Sequence, residues 1–301
     1  MEDFKYIKKI EIKGLWSKFD INWELNPDVN VLSGINGSGK STILKLIFNL
    51  LNKNKTEVFG TDLVSILFNN KVIVSINNTY KNEFNKGLGI ADSKYSNTLR
   101  RGITKYTGRE IIIFDFIKSI DQQLLSSEVI SKIANPEVKT ELDFQLYELE
   151  KEYLNYQINL VKKLENTDKT KDEIFSKKKL FIKTLNDFFK ETNKKIDDNS
   201  NGIAFLSNNK QISQYQLSSG EKQLIIILLK VLIQDEEPAI LLMDEPEISL
   251  HTDWQKQLIS VIRELNPNVQ IILATHSPSI IMKGWLDKVT NVSQITNNIA
   301  K

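Results

Sequence analysis

The chain has no cysteine in its 301 residues, which excludes disulfide staples, zinc sites built on thiolates and thiol nucleophiles. That absence suits a reducing cytoplasm. No segment comes near the roughly 18 uninterrupted apolar residues that a spanning helix needs, and the opening MEDFKYIKKIEIKG lacks the apolar run of a signal peptide. The expectation is a soluble, cytoplasmic protein with no membrane insertion. Nor does one sign of charge prevail: 40 Lys plus Arg against 38 Asp plus Glu leave +2, so there is no global pull toward nucleic acid or anionic lipid. Any such contact has to be local. Arginine is confined to Arg100, Arg101, Arg109 and Arg263, a scarcity we read as codon bias. Internal repeats and low-complexity tracts are absent too. What is present, 41% hydrophobic, 26% charged and 9% aromatic residues, is an ordinary globular composition, enough for one large domain or two lobes.

Short alternating runs at Ile7 to Ile12, Phe19 to Leu25 and Val29 to Leu32 predict three strands. Helical spacing follows from Lys40 to Leu51, with Ile43, Leu44, Ile47, Leu50 and Leu51 on one side. A strand that runs into a helix across a glycine-rich turn marks an α/β protein. Val72 to Ile76 and Glu110 to Phe114 read as further strands. From about Glu137 to Ile196 the chain reads as charged helix. Leu142, Leu146, Leu149, Tyr153, Tyr156, Leu160 and Leu164 recur at threes and fours, Asn166-Thr167-Asp168 interrupts, and a second run extends from about Lys171 to Lys195. This predicts an antiparallel helical hairpin with arms of about 25 residues, reaching ~40 Å. A β-hairpin at Ile203 to Ser213 turning at Asn208-Asn209, a helix from Ser219 to Ile233, a strand Ala239 to Met243, a helix Thr252 to Leu265 and a strand Val269 to Ala274 complete the pattern. The expected organisation is an N-terminal lobe over 1–114, a helical insertion over 115–199 with its hairpin at about 137–196, and a C-terminal lobe over 200–301.

Gly34-Ile35-Asn36-Gly37-Ser38-Gly39-Lys40-Ser41 fits the P-loop pattern and lies between a predicted strand and a predicted helix. Glycines let the loop curl so that the backbone N–H groups of Asn36, Gly37, Ser38 and Gly39 turn toward phosphate oxygens, and the helix N-terminus adds positive potential. Lys40 supplies a charge for the β- and γ-phosphates, the Ser41 hydroxyl can ligand Mg²⁺, and Thr42 reaches the α-phosphate. The apolar run Ala239 to Met243, expected of a parallel strand buried on both faces, ends in Asp244-Glu245-Pro246. Carboxylates at that edge sit where open α/β sheets bind ligands. Asp244 is expected to hold Mg²⁺ through water, and Glu245 to polarise the attacking water.

Leu217-Ser218-Ser219-Gly220-Glu221-Lys222-Gln223 opens a helix and resembles the signature of the ABC-type ATPases, in the Ser-Ser-Gly-Glu form of SMC-like and RecF-like members. The resemblance covers residues 1 to about 56 and 200–292. It implies an α/β, ABC-type P-loop NTPase head with an antiparallel β subdomain and an inserted helical lobe, using ATP and Mg²⁺. It also implies that the signature of one subunit caps the γ-phosphate held by another, in a head-to-tail homodimer. Ser218 and Gly220 inherit that contact, and Ser219 replaces the usual first glycine. His276, at the end of Ile271 to Thr275, resembles the switch histidine that senses the γ-phosphate. Ser249 lies at the position where family members reach across the dimer, and His251 belongs there or caps the next helix. Trp16 or Phe19 could stack on adenine. Gln122 or Gln123, soon after Phe114, could link Mg²⁺ to the helical lobe; Gln122 is the expected metal contact.

Transporter subunits share these motifs, so the kind of ABC ATPase rests on finer features. Asp244-Glu245-Pro246-Glu247-Ile248-Ser249-Leu250-His251 and Ala274-Thr275-His276-Ser277-Pro278 look like the OLD-type and RecF-like branch. Only 25 residues follow His276, so the nuclease domain of OLD-type proteins is not expected and any cleaving chain is separate. Stand-alone ATPases of this look resemble those of antiphage systems such as Septu, PARIS and the retrons, where a small ATPase assembles with a nuclease or toxic effector. The expected function is thus an ATP-hydrolysing dimer, with a higher oligomer as its alternative, that controls a separate effector. The triple lysine Lys177-Lys178-Lys179 reads as a solvated face, with a DNA or RNA contact as its alternative. An importer ATPase subunit and an ATP-bound scaffold with little turnover are the rival functions.

Overall fold

Alternation of buried and open side chains from Ile7 to Leu15 makes β1, which bends at a register shift and turns through Trp16 and Ser17 into β2 (Phe19–Glu24). β3 (Val29–Ser33) is almost wholly buried and feeds the Gly34–Gly39 loop and α1 (Lys40–Leu51). The computed structural model describes residues 5–52, 60–77, 102–106, 110–118, 124–126, 130, 133, 135–197, 200 and 202–299. β4 (Leu63–Phe68) and β5 (Ile73–Asn77) return to the first sheet, while β6 (Gly102–Tyr106) and β7 (Glu110–Ile117) enter the second.

Thr140 starts the helical segment. Its hydroxyl accepts from Asp143 N–H while the Asp143 carboxylate accepts from Thr140 N–H, a capping box that opens α2 (Glu141–Asn166). With 26 residues, α2 is about 39 Å long. Its stripe Leu142, Leu146, Leu149, Tyr153, Tyr156 and Leu160 is buried, whereas Leu164, expected to continue it, is exposed. The second arm is shorter than its spacing predicts. It comprises α3 (Lys171–Ile174) and α4 (Ser176–Phe188), and a 3₁₀ turn follows at Lys190–Thr192. Asn193 then takes the left-handed conformation that stops helices, at φ 53°. Lys194–Ile196, expected as helix, forms β8 instead, because it pairs with β9 (Ala204–Ser207) and the Ile196 N–H donates to Asn186 Oδ1.

β9 turns into β10 (Lys210–Ser213) through Asn208 and Asn209, both left-handed at φ 49° and 60°, the type I′ turn suited to a tight hairpin. α5 (Ser219–Ile233) is buried on all sides, Gly220 through Ile233 being covered, with its few charged residues, Glu221, Lys222 and Lys230, paired inside. β11 (Ala239–Asp244), α6 (Thr252–Leu265), β12 (Val269–Ala274), α7 (Pro278–Ile281), β13 (Val289–Asn291), α8 (Val292–Ile295) and β14 (Thr296–Asn298) follow.

Three sheets result. The central one has the order β13-β3-β12-β11-β7-β6, parallel except for β6 against β7. An antiparallel sheet, β14-β2-β1-β4-β5, covers α1 on its far side. A small sheet, β10-β9-β8, edges the helical segment. Isoleucine and leucine side chains alternate through β11 and β12 to feed two cores. Ile240, Leu242 and Ile272 pack with α1 and the antiparallel sheet, and Leu241, Met243 and Ile271 pack under α5, α2, α4 and α6. The helical segment therefore lies against α5 rather than projecting free. Across that contact Asp143 pairs with Lys222 at 2.7 Å and Lys163 with Asp235. No helix among the described residues is long and apolar enough to cross a membrane.

Candidate functional site

β3 delivers the Gly34–Gly39 loop at the C-terminal edge of the central sheet, and β11 and β12 deliver their own turns beside it. Together they form an open cleft of about 500 Å³, lined by Trp16, Asn36, Gly37, Gly39, Lys40, Ser41, Thr42, Glu245, Ile248 and His276. Gly39 sits at φ 100°, and a Cβ there would lie 3.1 Å from the Trp16 ring, so the loop and the indole need a glycine between them. Of the two aromatics considered, Trp16 lines the cleft and Phe19 supports it edge-on, with ring centres 6.3 Å apart. Ser38 Oγ is buried beneath the loop with no hydrogen-bond partner.

Lys40 is buried. Its Nζ donates to the carbonyls of Gly34 at 3.1 Å and Ile35 at 3.4 Å, and lies 2.6 Å from His276 Nε2, where a neutral imidazole nitrogen accepts. Ser41 Oγ donates to Asp244 Oδ1 at 2.8 Å, which sets a hydroxyl and a carboxylate side by side. Such hard oxygen donors at a phosphate cradle fit Mg²⁺. Burial pushes the Asp244 carboxyl up, against the opposing pull of Ser41 and of Lys45 and Lys40.

Glu245 leaves the strand in a left-handed conformation, φ 48°, held by its N–H on the Ala274 carbonyl at 2.9 Å. Its carboxylate accepts from the His276 N–H at 3.2 Å and comes within 3.4 Å of His276 Nε2. Burial, reinforced by the neighbouring Glu247 carboxylate, pushes Glu245 up to about 7. Glu247 in turn accepts from the Thr275 hydroxyl, the His276 N–H at 2.9 Å and the Ser277 N–H at 3.0 Å. Gln255 on α6 ties the same two turns together, donating to Leu250 O at 2.9 Å and accepting from Ser277 Oγ at 2.7 Å. Neither Glu247 nor Gln255 was singled out by the sequence, where only the place of Glu247 beside the Asp-Glu pair hinted at it.

Ser218, Ser219, Gly220 and Ser249 are brought together at a second place and do not line the cleft. Ser218 caps α5: its Oγ accepts from the Glu221 N–H at 3.3 Å and donates to Glu221 Oε2 at 3.0 Å. Glu221 is fully buried. Burial pushes its carboxyl up, yet Lys194 at 2.8 Å, the Ser218 N–H and Thr192 outweigh this and hold it below the usual carboxylate range. Gly220 packs on the backbone of Ser249, whose carbonyl oxygen lies 2.2 Å from where a Cβ on Gly220 would stand. Ser249 is exposed and left-handed at φ 71°. His251 is the N-cap of α6. Gln122 and Gln123 lie outside the described residues. The triple lysine is engaged within the fold: Lys177 donates to Glu264 O, Lys178 to Gln157 Oε1 and Lys179 to Asp172 Oδ1.

The chain is 30% identical over 104 residues to "Retron Vc95 probable ATPase" of Vibrio cholerae serotype O1 biovar El Tor, covering 31% of this chain and 20% of that protein. It is 32% identical over 101 residues to "Septu protein PtuA" of Bacillus thuringiensis, covering 29% and 25%. The chain thus spans a fifth to a quarter of the length of these relatives. The fold is that of a solved SMC head, "Crystal structure of the SmcHead bound to the C-winged helix domain of ScpA", with a TM-score of 0.50 at 15% identity, covering 98% of this chain and 97% of that one. A family profile described as "AAA domain, putative AbiEii toxin, Type IV TA system" matches residues 29–282, from the start of β3 to the end of α7. The chain belongs to that family, as an ABC-type P-loop ATPase with the SMC-head fold that resembles retron and Septu defence ATPases.

Proposed function

We propose that this chain hydrolyses ATP in the cleft at Lys40, that two copies close head to tail around two nucleotides, and that the cycle controls a separate effector, such as a nuclease, in antiphage defence. The observation that carries the reading is the convergence of Lys40, Ser41, Asp244, Glu245 and His276 on one cleft while Ser218, Gly220 and Ser249 gather elsewhere. The backbone of Asn36 to Gly39 cradles the phosphates, Lys40 neutralises the β- and γ-phosphates, and Thr42 reaches the α-phosphate. Ser41 and Asp244 would hold Mg²⁺, which would offset phosphate charge when bound. Glu245 takes a proton from water as its oxygen bonds to the γ-phosphorus and the bond to the bridging β-oxygen breaks, giving ADP and phosphate. His276 contacts the γ-phosphate, and Trp16 stacks on the base.

The second cluster does not line the cleft, and in this reading Ser218, Ser219, Gly220 and Ser249 serve the nucleotide of a partner copy. The likeness to retron and Septu ATPases supports the defence role and an effector partner. Purified chain is expected to release phosphate from ATP. Lys40→Ala loses nucleotide binding, and Glu245→Gln retains binding, stops turnover and elutes as a dimer with ATP and Mg²⁺. Wild-type turnover by Glu245→Gln refutes the catalytic assignment. Affinity capture of that variant with ATP should bring down a nuclease or toxin, and recovery of a membrane permease refutes the effector reading.

A further inference from the structure

The reading above gives no role to Glu247, although this carboxylate makes more contacts with the His276 turn than any residue in that reading. Resting on that reading, we propose that Glu247 is the positioning residue of the hydrolytic site, setting His276 against Lys40 and Glu245. The chain leaves β12 at Ala274 and does not reach α7 until Pro278. None of the three residues between lies in a strand or helix. Besides Glu247, single bonds tie them to regular elements, the Thr275 N–H to Leu32 O on β3 at 3.3 Å and the Ser277 hydroxyl to Gln255 on α6 at 2.7 Å. One oxygen, Glu247 Oε1, holds all three, accepting from the Thr275 hydroxyl and from the His276 and Ser277 N–H groups at 2.9 and 3.0 Å. The His276 N–H is shared with Glu245 at 3.2 Å, so the catalytic and positioning carboxylates meet on one backbone donor.

The result of this pinning is that the imidazole Nε2 lies 2.6 Å from Lys40 Nζ and 3.4 Å from Glu245 Oε1. The Glu247 carboxyl is also in direct contact with that of Glu245, whose acidity it weakens, so it touches both the turn and the group that faces it. A misplacement of ~1 Å in such a site can cost on the order of 100-fold in rate.

The test compares wild type, Glu247→Ala, Glu247→Gln, His276→Ala and the Glu247→Ala/His276→Ala double variant for ATP turnover and melting temperature. Glu247→Ala should lower kcat by about 100-fold and leave KM for ATP within about threefold, since the phosphate cradle is untouched. Glu247→Gln keeps an acceptor oxygen for the three donors and should recover to within about tenfold of wild type. In the His276→Ala background, removing Glu247 should cost less than about threefold, because a residue that acts through another has nothing left to position. A full, multiplicative loss in that background overturns the proposal, as does unchanged kcat in Glu247→Ala. Should Glu247→Ala fail to fold, Thr275→Val removes one donor and is expected to lower kcat by about threefold or more; unchanged kcat again overturns the proposal.

A second measurement does not depend on turnover. The chain has two histidines, so ring resonances in magnetic resonance spectra are assigned by one substitution, His251→Asn. The His276 signal should shift in Glu247→Ala or Thr275→Val while His251 stays in place. An unmoved His276 signal overturns the positioning role. A wild-type chain without ATP turnover but with the shifted signal instead refutes the hydrolase reading and leaves the positioning intact.

Discussion

Asp115 and Lys230 are a charged pair with almost no access to water, and removing one of them should destabilise the fold far more than removing both. Asp115 on β7 is 1% exposed and Lys230 on α5 is 4% exposed, with Nζ and Oδ1 3.0 Å apart. The other carboxylate oxygen accepts from Gln234 at 2.9 Å, and Gln234 accepts from Asn266 at 2.9 Å, so the network joins β7, α5 and the end of α6. At 3.0 Å and an effective dielectric of about 20, the attraction is on the order of 5 kcal/mol, which the desolvation of both ions largely offsets. Lys230→Met leaves the Asp115 charge with a single neutral donor and should cost about 3–5 kcal/mol. Asp115→Asn strands the buried ammonium and should cost a similar amount. The double variant Asp115→Asn/Lys230→Met buries no charge, and its asparagine can still accept from Gln234, so it should lie within about 2 kcal/mol of wild type. Urea unfolding followed by circular dichroism on the four proteins measures the cycle. Single variants costing less than about 1 kcal/mol, or a double variant as unstable as the sum of the singles, would refute the reasoning.

Gly220→Ala places a methyl 2.2 Å from the Ser249 carbonyl oxygen, a clash with backbone that cannot rotate away. Overpacking of this kind costs about 1–3 kcal/mol, more than the ~1 kcal/mol that alanine gains over glycine in a helix. The variant should therefore melt a few degrees lower, and an unchanged or raised melting temperature counts against the contact. Acid should weaken the attachment of the helical segment to α5. Burial raises Glu221 and Asp143, but Lys194 and Lys222 with local N–H donors hold both below their ordinary values. Carboxyls lowered on folding contribute stability fully above their unfolded values of about 4 and lose it as pH falls through the folded ones. Stability measured from pH 6 down should thus decline from about pH 4, and Lys194→Met should flatten that decline. An acid profile identical in Lys194→Met refutes the assignment.

The sequence announced what local patterns can announce. The bounds of α5, α6 and β12 agree with their spacing because each begins or ends at a residue whose chemistry stops or starts the element, as Ser218 does through its capping box with Glu221. Asn208-Asn209 carries its own turn geometry. In the candidate site, Lys40, Ser41, Asp244, Glu245 and His276 were legible because they stand at the ends of the parallel strands β3, β11 and β12 or just past the loops and turns that leave them, where such a sheet presents side chains to a ligand. Glu247 and Gln255 escaped notice for the opposite reason. Their partners lie 28 to 30 and 22 residues away, at separations no periodicity encodes. Lys194–Ile196 continued a helical composition, and pairing with β9 won over its propensity. The engagement of Lys177 to Lys179 rests on carbonyls and carboxylates of other elements, which a run of lysines cannot reveal.

The order of strands also says when the site can come into being. β3, which carries the phosphate loop, has β12 and β13 as its two neighbours, Val29 pairing with Ile271 and Val31 with Val289. At ~5–20 residues per second, the ribosome needs on the order of ten seconds or more to supply that missing edge after β3 has emerged. Through that interval a nearly all-apolar strand, Val29-Asn30-Val31-Leu32, stands without its sheet partners. Release of a truncated chain would leave the loop at Lys40 unformed and this strand open to non-native pairing. The nascent chain should therefore depend on chaperone cover until β12 and β13 have emerged, and the loop at Lys40 gains its sheet long after its own residues were joined.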